Sequence, residues 1–336
     1  MNWLALDIGG ANLKAADGQG FAAEQPFPLW QAPTQLHRAV ADLFSVAPAS
    51  SAVAVTMTGE LADCYATKRE GVRQILQQVE QAAGDRMLRV YRTAGDFVTA
   101  ADAVRDPHSV AASNWHALAT WASRQLPARD GLLIDIGSTT TDIIPISAEN
   151  VCAVGSTDVD RLTSGELVYT GIRRTGVATL VSFLPYRGRM CGVARETFAT
   201  TGDVYLTLQK LTEDPTDCDT ADGRPATRSA ARNRLARMLC MDEEQLTFED
   251  GHTIAVAVME SQLKLLRSAL EQVLNRQQRQ MHAALVSGSG EFLARMLLEK
   301  AAPEMQVFSL SEQGNLPISQ CAPAHAVAVL ARERCR

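Results

Sequence analysis

The stretch Leu132-Leu133-Ile134-Asp135-Ile136-Gly137-Ser138-Thr139-Thr140-Thr141-Asp142-Ile143-Ile144-Pro145-Ile146 decides how this chain is read. An apolar run ends in Asp-Ile-Gly, a small polar turn follows, and a second apolar run leaves it. That pattern predicts strand, tight turn, strand. The chain opens the same way, with Leu4-Ala5-Leu6-Asp7-Ile8-Gly9-Gly10 followed by Ala11-Asn12-Leu13-Lys14. Asp7 and Asp135 are 128 residues apart, about one domain length. A single repeated pair, rather than an array, predicts two related domains that each open on a strand hairpin.

Outward from the first copy, Leu36, Val40, Leu43 and Phe44 fall at helical spacing within 34–46. A strand is expected over 51–57, an amphipathic helix over 68–83, a strand over 87–91 and an Ala-rich helix over 109–126. Alternating strands and helices imply a layered α/β domain. Beyond the second copy, the acidic, turn-rich segment 212–227 reads as a surface loop or lid. Helices are expected over 228–240 and 250–277, then a strand over 283–286 that runs into Ser287-Gly288-Ser289-Gly290. A helix from 292, a strand over 307–310 and a closing helix over 323–334 complete the chain. The division expected is 1–129 and 130–336, with the closing helix returning to the first domain.

Composition narrows the function. At 46% hydrophobic and 21% charged residues, the 336-residue chain lies near the average of globular proteins, which excludes a disordered chain. A net charge of −6 argues against a nucleic-acid partner. The seven cysteines (64, 152, 191, 218, 240, 321 and 335) are scattered with no CxxC pair, and the six histidines show no HxH or HExxH spacing. A disulfide framework and a zinc site are therefore not expected, and a reducing cytoplasm fits best. Neither a signal peptide nor a membrane span is expected, so no membrane partner is. A homodimer is left open.

The hairpins carry the chemistry. A glycine turn leaves backbone N–H groups able to point at an anion, and a carboxylate just ahead of it can hold hydrated Mg²⁺ against that anion. Asp7 and Asp135 are the expected metal-side carboxylates, with Gly9, Gly10, Asn12, Gly137, Ser138, Thr139 and Thr140 around a di- or triphosphate. Gly288 and Gly290, between strand and helix, form a third expected contact. Lys14 stands where the second copy has Asp142 and can reach a phosphate as a point charge. Arg173 and Arg174 suit a diphosphate or a carboxylate by their bidentate geometry. Asp142, Glu60 and Asp63 are candidate general bases. Neither hairpin has the spacing of a P-loop or a GxGxxG dinucleotide turn.

These three glycine elements resemble those of the actin, sugar kinase and Hsp70 superfamily, which implies two ribonuclease-H-like domains around a central cleft. LIDIGSTTTDIIPI (133–146, preceded by Leu132) resembles the hydantoinase A/oxoprolinase branch. TMTGELADCY (56–65), GELVYTGIRRTGV (165–177) and DGRPAT (222–227) are similar to the tetrahydromethanopterin-linked C1-transfer group, related to archaeal methanofuran biosynthesis. That resemblance implies condensation of a furan-methyl diphosphate with a γ-glutamyltyramine-type amine, assisted by Mg²⁺, with release of diphosphate. The alternatives implied are an ATP-dependent kinase or ATPase of the oxoprolinase type, and a nucleotide-binding protein without catalysis.

Overall fold

A computed structural model of the chain describes residues 1–126 and 130–335. The expected joint between residues 129 and 130 falls at the edge of 127–129, outside the described residues.

The first sheet is built on β1 (Trp3–Ile8), whose six residues are all buried, as befits a central strand covered on both faces. It pairs antiparallel with β2 (Asn12–Ala16), which pairs with β3 (Ala22–Pro26). On its other side lie β4 (Ala52–Met57), β5 (Met87–Tyr91) and β6 (Phe97–Val98). The order is β3-β2-β1-β4-β5-β6, with β1, β4 and β5 parallel.

The second sheet repeats this plan. Strands β7 (Asp130–Ile136), β8 (Thr141–Ser147), β9 (Asn150–Val151) and β10 (Leu167–Val168) come first. A separate hairpin of β11 (Phe183–Tyr186) and β12 (Arg189–Gly192) follows, then β13 (Ala283–Ser287) and β14 (Gln306–Ser309). The order is β10-β8-β7-β13-β14, with β7, β13 and β14 parallel and β9 added alongside β8. Both sheets therefore place a hairpin at their centre, an antiparallel strand outside it and two parallel strands on the far side. This is the α/β, paired ribonuclease-H-like architecture that the repeat and the resemblance led us to expect.

Two helices, Asn114–Ala122 and Ala322–Arg334, pack against each other between the sheets. Ala117, Val327, Ala328 and Ala331 meet Trp3, Ala5 and Ala54 of the first sheet. Trp115, Leu118, Ala322 and Ala326 meet Leu133, Ile144 and Leu285 of the second. The first helix is shorter than the 109–126 expected, because Pro107–Ser109 forms a 3-10 turn and Ala112 takes a left-handed φ of 47°. The helix Arg228–Arg237 likewise stops short of 240, where Cys240 has a φ of 56°. The β11–β12 hairpin was absent from the sequence reading. Helix Phe248–Asn275, whose buried face carries Ile254, Val258, Leu263, Leu266 and Leu270, covers the second sheet as its apolar spacing required.

Candidate active site

Strand register puts the chemistry of the two hairpins in the same place. Asp7 on β1 stands opposite Lys14 on β2, and Asp135 on β7 stands opposite Asp142 on β8. The turns match as well: Gly9 N–H donates to Asn12 O (3.0 Å), and Gly137 N–H to Thr140 O (2.9 Å). Gly9 and Gly137 thus each use their own amide to close the hairpin.

The amides left over are the useful ones. Among the described residues, the N–H groups of Gly10, Ala11, Ser138 and Thr139 donate no hydrogen bond. Their orientation is set from behind. Leu29 N–H binds Gly10 O (3.0 Å) and Phe27 N–H binds Ala11 O (2.8 Å), while Arg173 and Arg174 N–H bind Ser138 O (3.0 and 3.1 Å). In a planar trans peptide, pinning the carbonyl on one side turns the following N–H to the other. The amides of Ala11 and Thr139 are fixed in this way. The second turn also rests on Gly171, where a Cβ would come within 2.5 Å of Gly137 O, Ser138 C and Thr139 N.

The carboxylates are unevenly satisfied. Burial pushes Asp7 up to about 6, against the pull of the Lys14 ammonium and the Asn114 amide, and its buried Oδ1 has no partner. Burial and the facing Asp142 push Asp135 to about 6, although the Ser287 hydroxyl donates to its Oδ1 (2.6 Å). Burial disfavours the Lys14 ammonium, but Glu24, Asp7 and further anionic neighbours outweigh that and raise it above the ordinary lysine value. Asp142 is buried and paired with Arg161, which in turn lies with its guanidinium carbon 4.3 Å from the centre of the Trp115 ring. That pairing occupies Asp142 and counts against its expected role as base.

Register also exposes a second repeat that the sequence reading missed. Thr56 pairs with Asp7 across β4 and β1, and Ser287 pairs with Asp135 across β13 and β7. Thr56-Met57-Thr58-Gly59-Glu60 thus matches Ser287-Gly288-Ser289-Gly290-Glu291. Gly59 N–H binds Ile8 O and Gly290 N–H binds Ile136 O, each at 2.9 Å. The shared hydroxyl-x-hydroxyl-Gly-Glu pattern was a legible signal, hidden because a long insertion separates β10 from β13. It changes the reading of two glycines. A Cβ on Gly290 would meet the Ile136 side chain at 2.5 Å, and one on Gly288 would meet Ile136 O at 2.3 Å. Gly290 is therefore required by strand packing, while Gly288 meets that need and also borders the cleft.

The two glutamates diverge. Glu291 accepts hydrogen bonds from Ser309, Ser311 and Ser319 and ties three segments to the end of β13. Glu60 is 1% exposed and its Oε2 has no partner; burial raises it to about 7 despite Lys68 at 3.9 Å. The charged neighbours of its side chain are Lys68 and Asp158. Lys68 bridges the lobes, with Nζ 2.9 Å from Asp158 Oδ2, and Asp158 lies 3.7 Å from Arg161. Asp63 is exposed on the loop after β4.

A cleft of about 1280 Å³ opens in front of the turns. Ala11, Asn12 and Glu24 line it from the first lobe, and Ser138, Arg173, Arg174 and Gly288 from the second. Segment 212–227 forms much of the remaining wall through residues 212–221. Asp7 and Asp135 stand at strand ends just behind the turns. Among the described residues no group of three or more His, Cys, Asp and Glu forms a metal cage. Two carboxylates, one with an orphaned buried oxygen, still fit Mg²⁺, which commonly takes one or two protein carboxylates and fills its shell with water and phosphate oxygen. The seven cysteines are all free.

Paired ribonuclease-H-like sheets whose central hairpins meet at one cleft define a protein of the actin, sugar kinase and Hsp70 fold class. A chain of the PilM–PilN type IV pilus biogenesis complex shares that fold at a TM-score of 0.51, with 14% identity and 98% of each chain covered. Within the class, the chain belongs to the hydantoinase/oxoprolinase family, which matches residues 51–334. It is 34% identical over 335 residues to the (4-{4-[2-(gamma-L-glutamylamino)ethyl]phenoxymethyl}furan-2-yl)methanamine synthase of Methanocaldococcus jannaschii, covering 98% of both chains. The protein of the same name from Methanococcus vannielii is 31% identical over 201 residues, which is 59% of this chain and 89% of that one. No helix among the described residues is long and apolar enough to cross a membrane.

Proposed function

We propose that this chain is a synthase of methanofuran-type carriers, joining a furan-methyl diphosphate to a γ-glutamyltyramine-type acceptor and releasing diphosphate. The observation that carries the chemistry is the matched pair of turns with unengaged amides, Gly10 and Ala11 in one lobe and Ser138 and Thr139 in the other, of which Ala11 and Ser138 line one cleft. The relative matched over 98% of both chains supports the substrate class.

The relatives' product name favours a nucleophile other than the expected amine. It describes a phenoxymethyl group on a furan that keeps its own methanamine, with the glutamyl unit on the ethylamine nitrogen. The bond formed is then an aryl ether, and the attacking atom is the phenol oxygen, not an amine. As that oxygen bonds to the furan-methyl carbon, the carbon–oxygen bond to diphosphate breaks and the electron pair leaves with the diphosphate. The phenolic proton is released.

Each residue has a part in this reaction. The four turn amides stabilise charge that grows on the leaving diphosphate, where oriented donors act most strongly. Lys14, in register between Asp7 and Glu24, and Arg173 and Arg174 add positive charge from both lobes. Mg²⁺ bound by Asp135 and Asp7 would supply further charge neutralisation to the diphosphate. Of the candidate bases, Asp142 is tied to Arg161 and Asp63 is exposed, while Glu60 faces Lys68 and keeps an unpartnered Oε2; Asp7 is assigned to the metal rather than to the phenolic proton. The test is acceptor specificity. N-acylated tyramine should be alkylated on oxygen, and the deoxy analogue, which lacks the hydroxyl, should give no product. Alkylation of nitrogen in either compound would overturn the assignment.

A further inference from the structure

The acidic segment does more than line the cleft. Asp217 Oδ2 lies 3.0 Å from Arg173 Nη1, and Asp219 Oδ2 lies 3.4 Å from Arg174 Nη1. Two carboxylates spaced by one residue thus hold two adjacent guanidiniums. Arg174 is further fixed between lobes, its guanidinium carbon 4.5 Å from the centre of the Trp30 ring. The anchor of the segment holds the backbone of the tip, with Ala226 N–H donating to Asp217 O at 2.8 Å, and leaves the two tip carboxylates to their arginines. Buried Arg234 pairs with Asp203 and reaches Asp222 at 2.9 Å, Asp214 and Ala226 form a two-residue bridge, and Glu213 accepts from Arg228 N–H at 2.6 Å. The tip pairs are partly exposed, at 47% and 24% for Arg173 and Asp217 and 34% and 66% for Arg174 and Asp219. Ion pairs of that kind are weak and exchange readily. The base, by contrast, holds a guanidinium that is 1% exposed, and breaking such a buried pair is costly.

A diphosphate presents the same pattern, two linked anionic groups with several acceptor oxygens, to which arginine binds bidentately. It also carries more charge than the two carboxylates, and it cannot sit beside Asp217 and Asp219 without repulsion unless a cation intervenes. We propose that Asp217 and Asp219 are internal stand-ins for the substrate's diphosphate, which displaces them from Arg173 and Arg174 on binding while the base of the segment stays fixed. Binding and release of the two carboxylate side chains are then one exchange of ion pairs, and compounds with a single weak anionic group do not displace them. This rests on the diphosphate reading of the site.

The test is calorimetric titration of the full chain with inorganic diphosphate and Mg²⁺, using the D217N/D219N and R173Q/R174Q double variants. Freed arginines predict binding roughly three- to ten-fold tighter in D217N/D219N than in the unaltered protein, the size set by two exposed pairs. R173Q/R174Q should bind at least about ten-fold more weakly. Equal or weaker binding by D217N/D219N, with the unaltered protein still binding, overturns the exchange and leaves the diphosphate site standing. It would mean that the aspartates assist the cation instead. No binding of diphosphate by the unaltered protein or by D217N/D219N defeats the site reading itself, and the exchange with it.

Discussion

Asp135 and Asp142 stand directly opposite each other on β7 and β8. Like charges in that position destabilise a sheet, and here the cost is offset by Arg161, which is 2% exposed and pairs with Asp142. Removing one partner of a buried pair leaves an uncompensated charge, so Arg161→Met should lower stability by about 3–5 kcal/mol. Adding Asp142→Asn to it should restore a large part of the loss, as read from urea midpoints. Simple additivity of the two single changes would show that the pair does not couple.

Asp7 should stabilise the fold when replaced. Its folded value of about 6 lies above the ordinary 3.8, so the folded chain holds the proton longer than the unfolded one does. Stability therefore falls as pH rises from about 4 to about 6 and stays lower above that. Asp7→Asn removes this drop and should gain roughly 3 kcal/mol at pH 7, with little gain near pH 4, while turnover is lost. Thermal melts of both proteins across this range check it. A variant no more stable than the parent at pH 7 would contradict the burial of an unpaired carboxylate.

Two glycines in neighbouring motifs should behave oppositely. A Cβ at Gly171 would sit 2.5 Å from three backbone atoms of the second turn, which cannot move aside as a flexible side chain would. Gly171→Ala should cost about 1–3 kcal/mol and reduce turnover by shifting the Ser138 and Thr139 amides. Around Gly10 no atom lies within 4 Å of a built Cβ, and Gly10→Ala should change stability by less than about 0.5 kcal/mol. Melting temperatures measured side by side decide it, and similar losses at both positions would be the wrong outcome.

Much of the fold was legible because the repeated Asp-Ile-Gly hairpin fixes the central strand pair of each sheet. The positions of Asp7, Lys14, Asp135 and Asp142 followed from that alignment, and register confirms their equivalence. What escaped were facts set by distant partners. Gly9 and Gly137 spend their amides on their own turns, a matter of hydrogen-bond geometry that residue type does not reveal. Arg161 is 19 residues from the Asp142 it neutralises, and nothing local in the sequence links them. Glu60 and Glu291 occupy equivalent places, yet one is fully bonded and the other faces Lys68, a difference that only the packing of helices and later strands creates.

The central claim is that the cleft drives departure of diphosphate as an aryl ether forms. The direct measurement incubates the protein with a furan-methyl diphosphate, a γ-glutamyltyramine-type phenol and Mg²⁺, without ATP, and counts ether and diphosphate together. The account predicts one diphosphate per ether and loss of both in Asp135→Asn, with the fold of that variant retained. Ether formation only when ATP is supplied and cleaved, or unchanged turnover in Asp135→Asn, would contradict it.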